Sequence, residues 1–299
     1  MAIWRVVLCV LAITGAARAE DVSLRWKFTP GDSQLYRMTQ AARLDLRLGG
    51  ESDVVTEVHR MFDFQWSVES VAADGTASIS VQVTRVRLHV VGPGGQETQY
   101  DTQSDQQSRG FALTLAPLFK TLLESELKAQ MNSRGELSQL QIPEDLQNLL
   151  SSRPAGKALG RLGSADDFRS LLRLGLPALP ESDSFAVGQQ WEEERKLENS
   201  PFGSPRAHNV YRWEATRQLQ EEQLAVIVRT TSISLNESAT GGEETLITGQ
   251  ESAGEILFNL TAGRLQSSQI EVQLELNSTD GGQPVSGTLV HTVTFEQLD

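Results

Sequence analysis

The chain has 299 residues, with 39 acidic side chains against 26 basic ones and a net charge of −13, which excludes the electropositive footprint that nucleic acids and anionic lipid surfaces require. A single cysteine, Cys9, rules out a disulfide-stapled scaffold, and the length is sufficient to bury one large core or two moderate ones without such cross-links.

Met1 to Arg5 form a short positive start, Val6 to Thr14 an apolar run, and Ala17-Arg18-Ala19 a small-x-small site ahead of Glu20-Asp21. This three-part pattern predicts a signal peptide over residues 1–19 and export to a periplasm or the cell exterior. Its removal takes away Cys9, two arginines and no acid, leaving a thiol-free chain of net charge −15. Cys9 lies in the middle of the apolar run, not at its end, so it is misplaced for a lipoprotein anchor. After Ala19 no stretch approaches the ~18 apolar residues of a membrane-spanning helix. The sequons at Asn236, Asn259 and Asn277 are what a Ser/Thr-rich chain produces by chance.

Period-two alternation dominates the rest. From Val58 the even positions read Val58, Arg60, Phe62, Phe64, Trp66 and Val68, with Asp63, Gln65, Ser67 and Glu69 between them. An Asp74-Gly75 turn leads to a return strand carrying Ala77, Ile79, Val81 and Val83. A helical patch over Leu115–Leu123 places Leu118, Phe119, Leu122 and Leu123 on one face, ahead of the strand Leu127-x-Ala129-x-Met131. From about Pro143 the composition changes. Pro143-Glu144-Asp145-Leu146 starts one helix with a Leu146, Leu149, Leu150 stripe; Ser164-Ala165-Asp166-Asp167 caps another carrying Phe168, Leu171 and Leu172, stopped at Gly175 and Pro177. Near the C-terminus Ile270, Val272, Leu274 and Leu276 alternate with polar residues up to Asp280-Gly281-Gly282, and Val285, Leu289, Val293 and Phe295 return. Strands of ten or more residues must twist and curl. The expected class is therefore mainly β (α+β): two related antiparallel curved sheets or half-barrels. A first β unit spans 20–142, a helical linker 143–183 and a second β unit 184–299.

Three correspondences in the same order point to duplication. Phe28-x-x-Gly31 with Tyr36 matches Phe185-x-x-Gly188 with Trp191; Phe64-x-Trp66 matches Tyr211-x-Trp213; the Met131–Leu137 turn around Gly135 matches the Leu260–Leu265 turn around Gly263. Together with Leu24-Arg25-Trp26-Lys27-Phe28-x-Pro30-Gly31, the central helices and Gly135-x-Leu137, this organisation resembles an uncharacterised family of exported proteins abundant in planctomycete bacteria. The resemblance implies no activity, cofactor or catalytic residue. More distantly, long curved strands with covering helices resemble the half-barrel carriers of bacterial envelopes, which hold lipid or lipoprotein chains on a concave face; that likeness is of architecture only.

Motifs for chemistry are absent. His59, His89, His208 and His291 stand alone in sequence, without the paired spacing of a zinc site. There is no Gly-x-Ser-x-Gly elbow, Gly92-Pro93-Gly94-Gly95 and Gly156-Lys157 lack phosphate-loop spacing, and Asp280 lacks a calcium-loop pattern. The acidic runs Asp166-Asp167, Glu192-Glu193-Glu194, Glu221-Glu222 and Glu243-Glu244 alternate faces on strands or sit at turns. Neither catalytic residues nor a metal or cofactor site is expected.

The aromatics Trp26, Trp66, Trp191, Tyr211 and Trp213 remain as candidate ligand contacts, able to floor a groove or to fill the cores of the two sheets. The leading expectation is a soluble, non-enzymatic binding or structural module of the bacterial envelope. Its partner would be a protein or an apolar small molecule, with no nucleic acid and no membrane span. The alternative is a carrier of an apolar ligand, a lipid or lipoprotein acyl chain, on a concave sheet face. An enzyme of unfamiliar type is a third.

Overall fold

The computed structural model describes residues 23–48, 52–104, 111–151, 169–170, 172–173, 175–182, 184–196, 205–235, 245–280 and 283–298. The signal segment 1–19, the Ser164–Asp167 helix start, Gly156-Lys157, Asn236, Glu243-Glu244 and Gly281-Gly282 lie outside them.

Among the described residues the first half of the chain forms β1 (Ser33–Leu48), β2 (Ser52–Val71), β3 (Ala77–Val91), β4 (Glu97–Asp101), α1 (Phe111–Glu124), β5 (Glu126–Met131), β6 (Leu137–Gln141) and α2 (Glu144–Ser151). The second half forms β7 (Gln190–Lys196), β8 (Arg206–Leu219), β9 (Glu222–Ser234), β10 (Leu246–Asn259), β11 (Arg264–Asp280) and β12 (Gln283–Leu298). The Asp-Gly hairpin between β2 and β3 forms where alternation places it. Asp74 Oδ1 accepts from the Thr76 amide at 2.9 Å, and Gly75 takes φ +82°.

The mainly β, antiparallel, curved class holds, and the strands of the two halves make one sheet. The order is β6-β5-β3-β2-β1-β12-β11-β10-β9-β8-β7, all antiparallel, with β4 on β3, in a single curved and unclosed sheet. The two β units join because β1 pairs with β12 from Leu35–Leu298 to Leu48–Val285. Both strands present apolar side chains to the same side at matching heights, Met38 opposite Phe295 and Leu44 opposite Leu289. Fusing the two edges therefore keeps one continuous apolar face and removes two long unpaired edges.

The halves retain a common plan, since the order 6-5-3-2-1 runs parallel to 11-10-9-8-7. Their opening turns are alike: the Gly31 amide donates to Val68 O at 2.8 Å and the Gly188 amide to Trp213 O at 2.7 Å, each glycine near φ +90°. This corrects the sequence match. Val68, not Trp66, is equivalent to Trp213, so Trp66 stands with Tyr211 and Phe64 with Asn209, two residues away from the Phe64-x-Trp66 to Tyr211-x-Trp213 alignment.

One end of the inner face is closely covered. Leu115, Leu118, Phe119 and Leu122 of α1 are buried, and Phe119 packs 4.9 Å from Tyr100 of β4. Residues 175–180 lie over the sheet and touch both β12 and β7. A side chain at Gly175 would collide with Phe295, and Trp191 Nε1 donates to Ala178 O at 2.6 Å. Residues 24–28 tie the two turns that the duplication relates: the Trp26 amide donates to Ser133 O and the Lys27 amide to Gly263 O, both at 2.8 Å. The outer face is polar and laced with ion pairs, such as Arg37–Asp63 at 2.7 Å and Arg85–Asp101 at 2.8 Å.

Candidate functional site

The inner face is best followed as rows of directly opposed residues running across the strands. The rows nearest the covering segments are aromatic and closed. Tyr36, Phe62, Phe64, Trp66, Phe258 and Phe295 are all buried, with Tyr36 and Phe295 stacked at 5.0 Å and Trp66 set edge-on to Tyr36 at 5.5 Å. Farther along the same strands the face stays apolar but opens. Leu44, Leu46, Val54, Val58, Val272, Val285 and Leu289 are half-buried, flanked by buried Leu274 and Leu276.

Between the closed and open rows runs a polar belt. Its central row reads Tyr211, Arg229, Gly254, Ile270, Val293, Gln40, Arg60 and Leu88 from β8 across to β3. Gln40 is buried, and burial holds the pKa of the Arg60 guanidinium below its ordinary value. His291 lies in the adjacent row, opposite Ala42. Burial, reinforced by the positive charge of Arg60, lowers its pKa to about 4, so the ring is neutral at pH 7.

At the β7–β9 end the belt becomes a hydrogen-bonded cluster. Asn209 Oδ1 accepts from Arg229 Nε at 3.2 Å, Arg229 Nη2 at 2.9 Å and Thr231 Oγ1 at 2.8 Å. The Arg229 guanidinium sits 5.7 Å from the centre of the Tyr211 ring, and Tyr211 OH donates to Glu193 Oε2 at 3.1 Å. Glu193 also accepts from Arg195 Nε at 2.6 Å and lies 3.8 Å from Arg173 Nη2. Arg195 spends its other nitrogens on the carbonyls of Arg173 and Leu176.

Of the aromatics singled out from sequence, the structure brings Trp191 and Tyr211 together, stacked at 5.3 Å. The others sit in separate places. Trp26 packs edge-on to Phe258 at 5.7 Å, Trp66 packs on Tyr36 and Phe295, and Trp213 donates its ring N–H to Ala215 O at 2.9 Å. Trp26, Trp66, Tyr211 and Trp213 belong to the buried core, and Trp191 packs half-buried against it.

The histidines, read as four isolated residues, are not all isolated: the cross-strand pair His59 and His89 stacks at 6.1 Å on the outer face. Among the described residues no three His, Cys, Asp or Glu side chains converge as metal ligands. No helix among them is long and apolar enough to cross a membrane, which says nothing of strands. Sequence reasoning missed Arg229, Asn209 and Thr231. The signal was present in Ile227-x-Arg229-x-Thr231, an arginine in the inward register of an otherwise apolar strand.

No protein family and no curated protein matches the chain. Among solved structures it is similar to lipovitellin, in a structure of that protein's lipid–protein interactions, at 13% identity and TM-score 0.47 over 91% of this chain and 26% of the lipovitellin chain. The chain thus spans about a quarter of that protein's length. It is also similar to OpdQ of Pseudomonas aeruginosa (7% identity, TM-score 0.23, covering 90% of this chain and 100% of that one). A third is a LolA superfamily protein of Nitrosomonas europaea (11% identity, TM-score 0.14, covering 89% and 86%). Likeness at this level assigns nothing to this chain.

Proposed function

We propose that the protein is an exported, non-enzymatic binding module that carries an apolar ligand on the inner face of its sheet. The observation that supports this reading is the run of half-buried Leu44, Leu46, Val54, Val58, Val272 and Leu289, continuous with a closed aromatic core yet less covered than it. Completing the burial of six such side chains contributes about 3–6 kcal/mol before the cost of association, by ordinary transfer energies. A filled interior would leave these rows as closed as the aromatic ones. The rows also run across several strands, so a chain-like ligand lying along them touches several strands at once.

Native mass spectrometry of the protein purified from its own cells tests this directly. The expected result is a mass beginning at Glu20 together with a hydrophobic small molecule that organic extraction removes. Protein that is ligand-free from its own cells and takes up no neutral solvatochromic dye would overturn the carrier reading.

A further inference from the structure

The second half of the inner face holds a buried cation that is hydrogen-bonded but has no ion-pair partner. Arg229 is 7% exposed, and among the described residues no carboxylate lies within ion-pair distance of it. Its Nη1 and the Nδ2 of Asn209 are buried donors without an acceptor. Glu193, the nearest acid of the cluster, is already shared between Arg195 and Arg173. Two guanidiniums thus share one carboxylate, and Arg229 is left without an ion-pair partner inside a chain whose net charge is −13. An unpaired buried charge costs several kcal/mol, and an arginine does not escape that cost by losing its proton.

Beside Arg229 the backbone ladder gives way to side-chain partners. The β9–β10 ladder ends at the Arg229–Gly254 pair. Beyond it the Thr231 amide donates to Ser252 Oγ and the Ile233 amide to Gln250 Oε1, both at 2.7 Å, in place of backbone partners. Gly254, opposite Arg229, adds no side chain. By the equivalence of the two halves, Asn209, Tyr211, Arg229 and Thr231 occupy the positions of Phe64, Trp66, Val81 and Val83. At the matching place the first half carries an apolar quartet on the same strand pairing.

We propose that Arg229 and Asn209 anchor the anionic head group, carboxylate or phosphate, of an amphiphile. Its chain extends along Val272, Leu274 and Leu289 toward Leu44 and Leu46. This rests on the apolar-ligand reading above and adds to it the class of ligand. The guanidinium and amide donors fit an oxyanion, and the open apolar rows begin at the next position along the strands.

Isothermal titration of the full mature chain with dodecanoate, dodecyl phosphate, dodecan-1-ol and inorganic phosphate separates the possibilities. The two anionic amphiphiles should bind about tenfold to a hundredfold more tightly than the alcohol, the range of one charge-assisted contact. Arg229→Met should bring them to the alcohol's level without changing the alcohol's affinity, and Arg229→Lys should restore part of the difference. Equal binding of acid and alcohol by the wild-type protein overturns the anion site and leaves the apolar reading standing. Failure of all three amphiphiles overturns both. Inorganic phosphate binding as tightly as dodecyl phosphate overturns the amphiphile in favour of a free anion. The wild-type comparison needs no variant to fold.

Discussion

Phe64, Trp66, Val81 and Val83 of the first half stand where Asn209, Tyr211, Arg229 and Thr231 stand in the second, on the same strands of the same plan, and every one of the eight is at most 7% exposed. Equal burial therefore does not mean equal purpose. The first quartet gains stability from packing alone. The second fills the same volume with groups that must be desolvated and then hydrogen-bonded, which returns less for each side chain. A fold that tolerates the first arrangement has no need of the second for its own stability. On the proposed reading, the difference separates a half that holds the sheet together from a half whose inner face takes a ligand.

The comparison breaks or sharpens first at Phe64. Phe64→Ala should cost about 3–5 kcal/mol of unfolding free energy, since it opens a cavity beneath Phe62 and Tyr36. Asn209→Ala should cost about 1–3 kcal/mol, the penalty for leaving Arg229 and Thr231 short of an acceptor. Paired urea denaturation of the two variants measures the contrast. An Asn209 cost equal to that of Phe64 would mean that the polar quartet is structural.

A smaller effect is expected at the belt between the open and closed rows. The folded protein keeps His291 neutral down to about pH 4, whereas the unfolded chain takes up the proton near the ordinary value of 6.5. Across that interval the unfolded state binds more protons, so this residue's contribution is complete above pH 6.5 and is lost as the pH falls toward 4. The residue as a whole keeps some solvent exposure, which screens the effect, so the total amounts to about 1–2 kcal/mol. His291→Gln should remove this slope, leaving the acid limb below pH 4 that Asp101 contributes through its ion pairs with Arg85 and Arg87. An unchanged slope between pH 6.5 and 4 in the variant would place the titration elsewhere.

Alternation made the long hairpins legible. Val58 to Val68 and Ile270 to Leu276 read as strands with one buried side, and the Asp74-Gly75 turn fixed a register. The likeness of the two halves was legible too, but its register was not, for a physical reason: a shift of two residues leaves every side chain on the face it had before. Aligning Phe64-x-Trp66 with Tyr211-x-Trp213 keeps all the aromatics inward. Only the Gly31–Val68 and Gly188–Trp213 hydrogen bonds show the offset. The joining of β1 to β12 was equally hidden, because strand sequences do not name their neighbours. The Arg229 cluster draws on β7, β8 and β9, and no local pattern links Glu193 to Asn209 and Arg229 until those three strands are aligned. Glu193 itself reads from sequence as one of three consecutive acids. On the strand, Glu192 and Glu194 face out and Glu193 faces in.

The smallest effect on stability is expected where the charge is most deeply buried. Arg229→Met should leave unfolding free energy within about 1 kcal/mol of wild type, because two opposing changes are of similar size. The variant gives up the donations of Nε and Nη2 to Asn209 and the contact with the Tyr211 ring, about 1.5–3 kcal/mol for each charge-assisted bond. It also relieves the several kcal/mol held in a desolvated guanidinium without an ion-pair partner. Methionine fills the space left by the aliphatic stem, and Asn209 Oδ1 keeps the Thr231 hydroxyl as a donor. The valine at the equivalent position in the first half, Val81, is fully buried and needs no polar partner, so the backbone there accepts an apolar side chain. Thermal and urea unfolding of the ligand-free variant measures the balance. A loss of 3 kcal/mol or more would make Arg229 part of the scaffold and dissolve the distinction between the two halves; a loss near zero leaves it a charge waiting for an external anion.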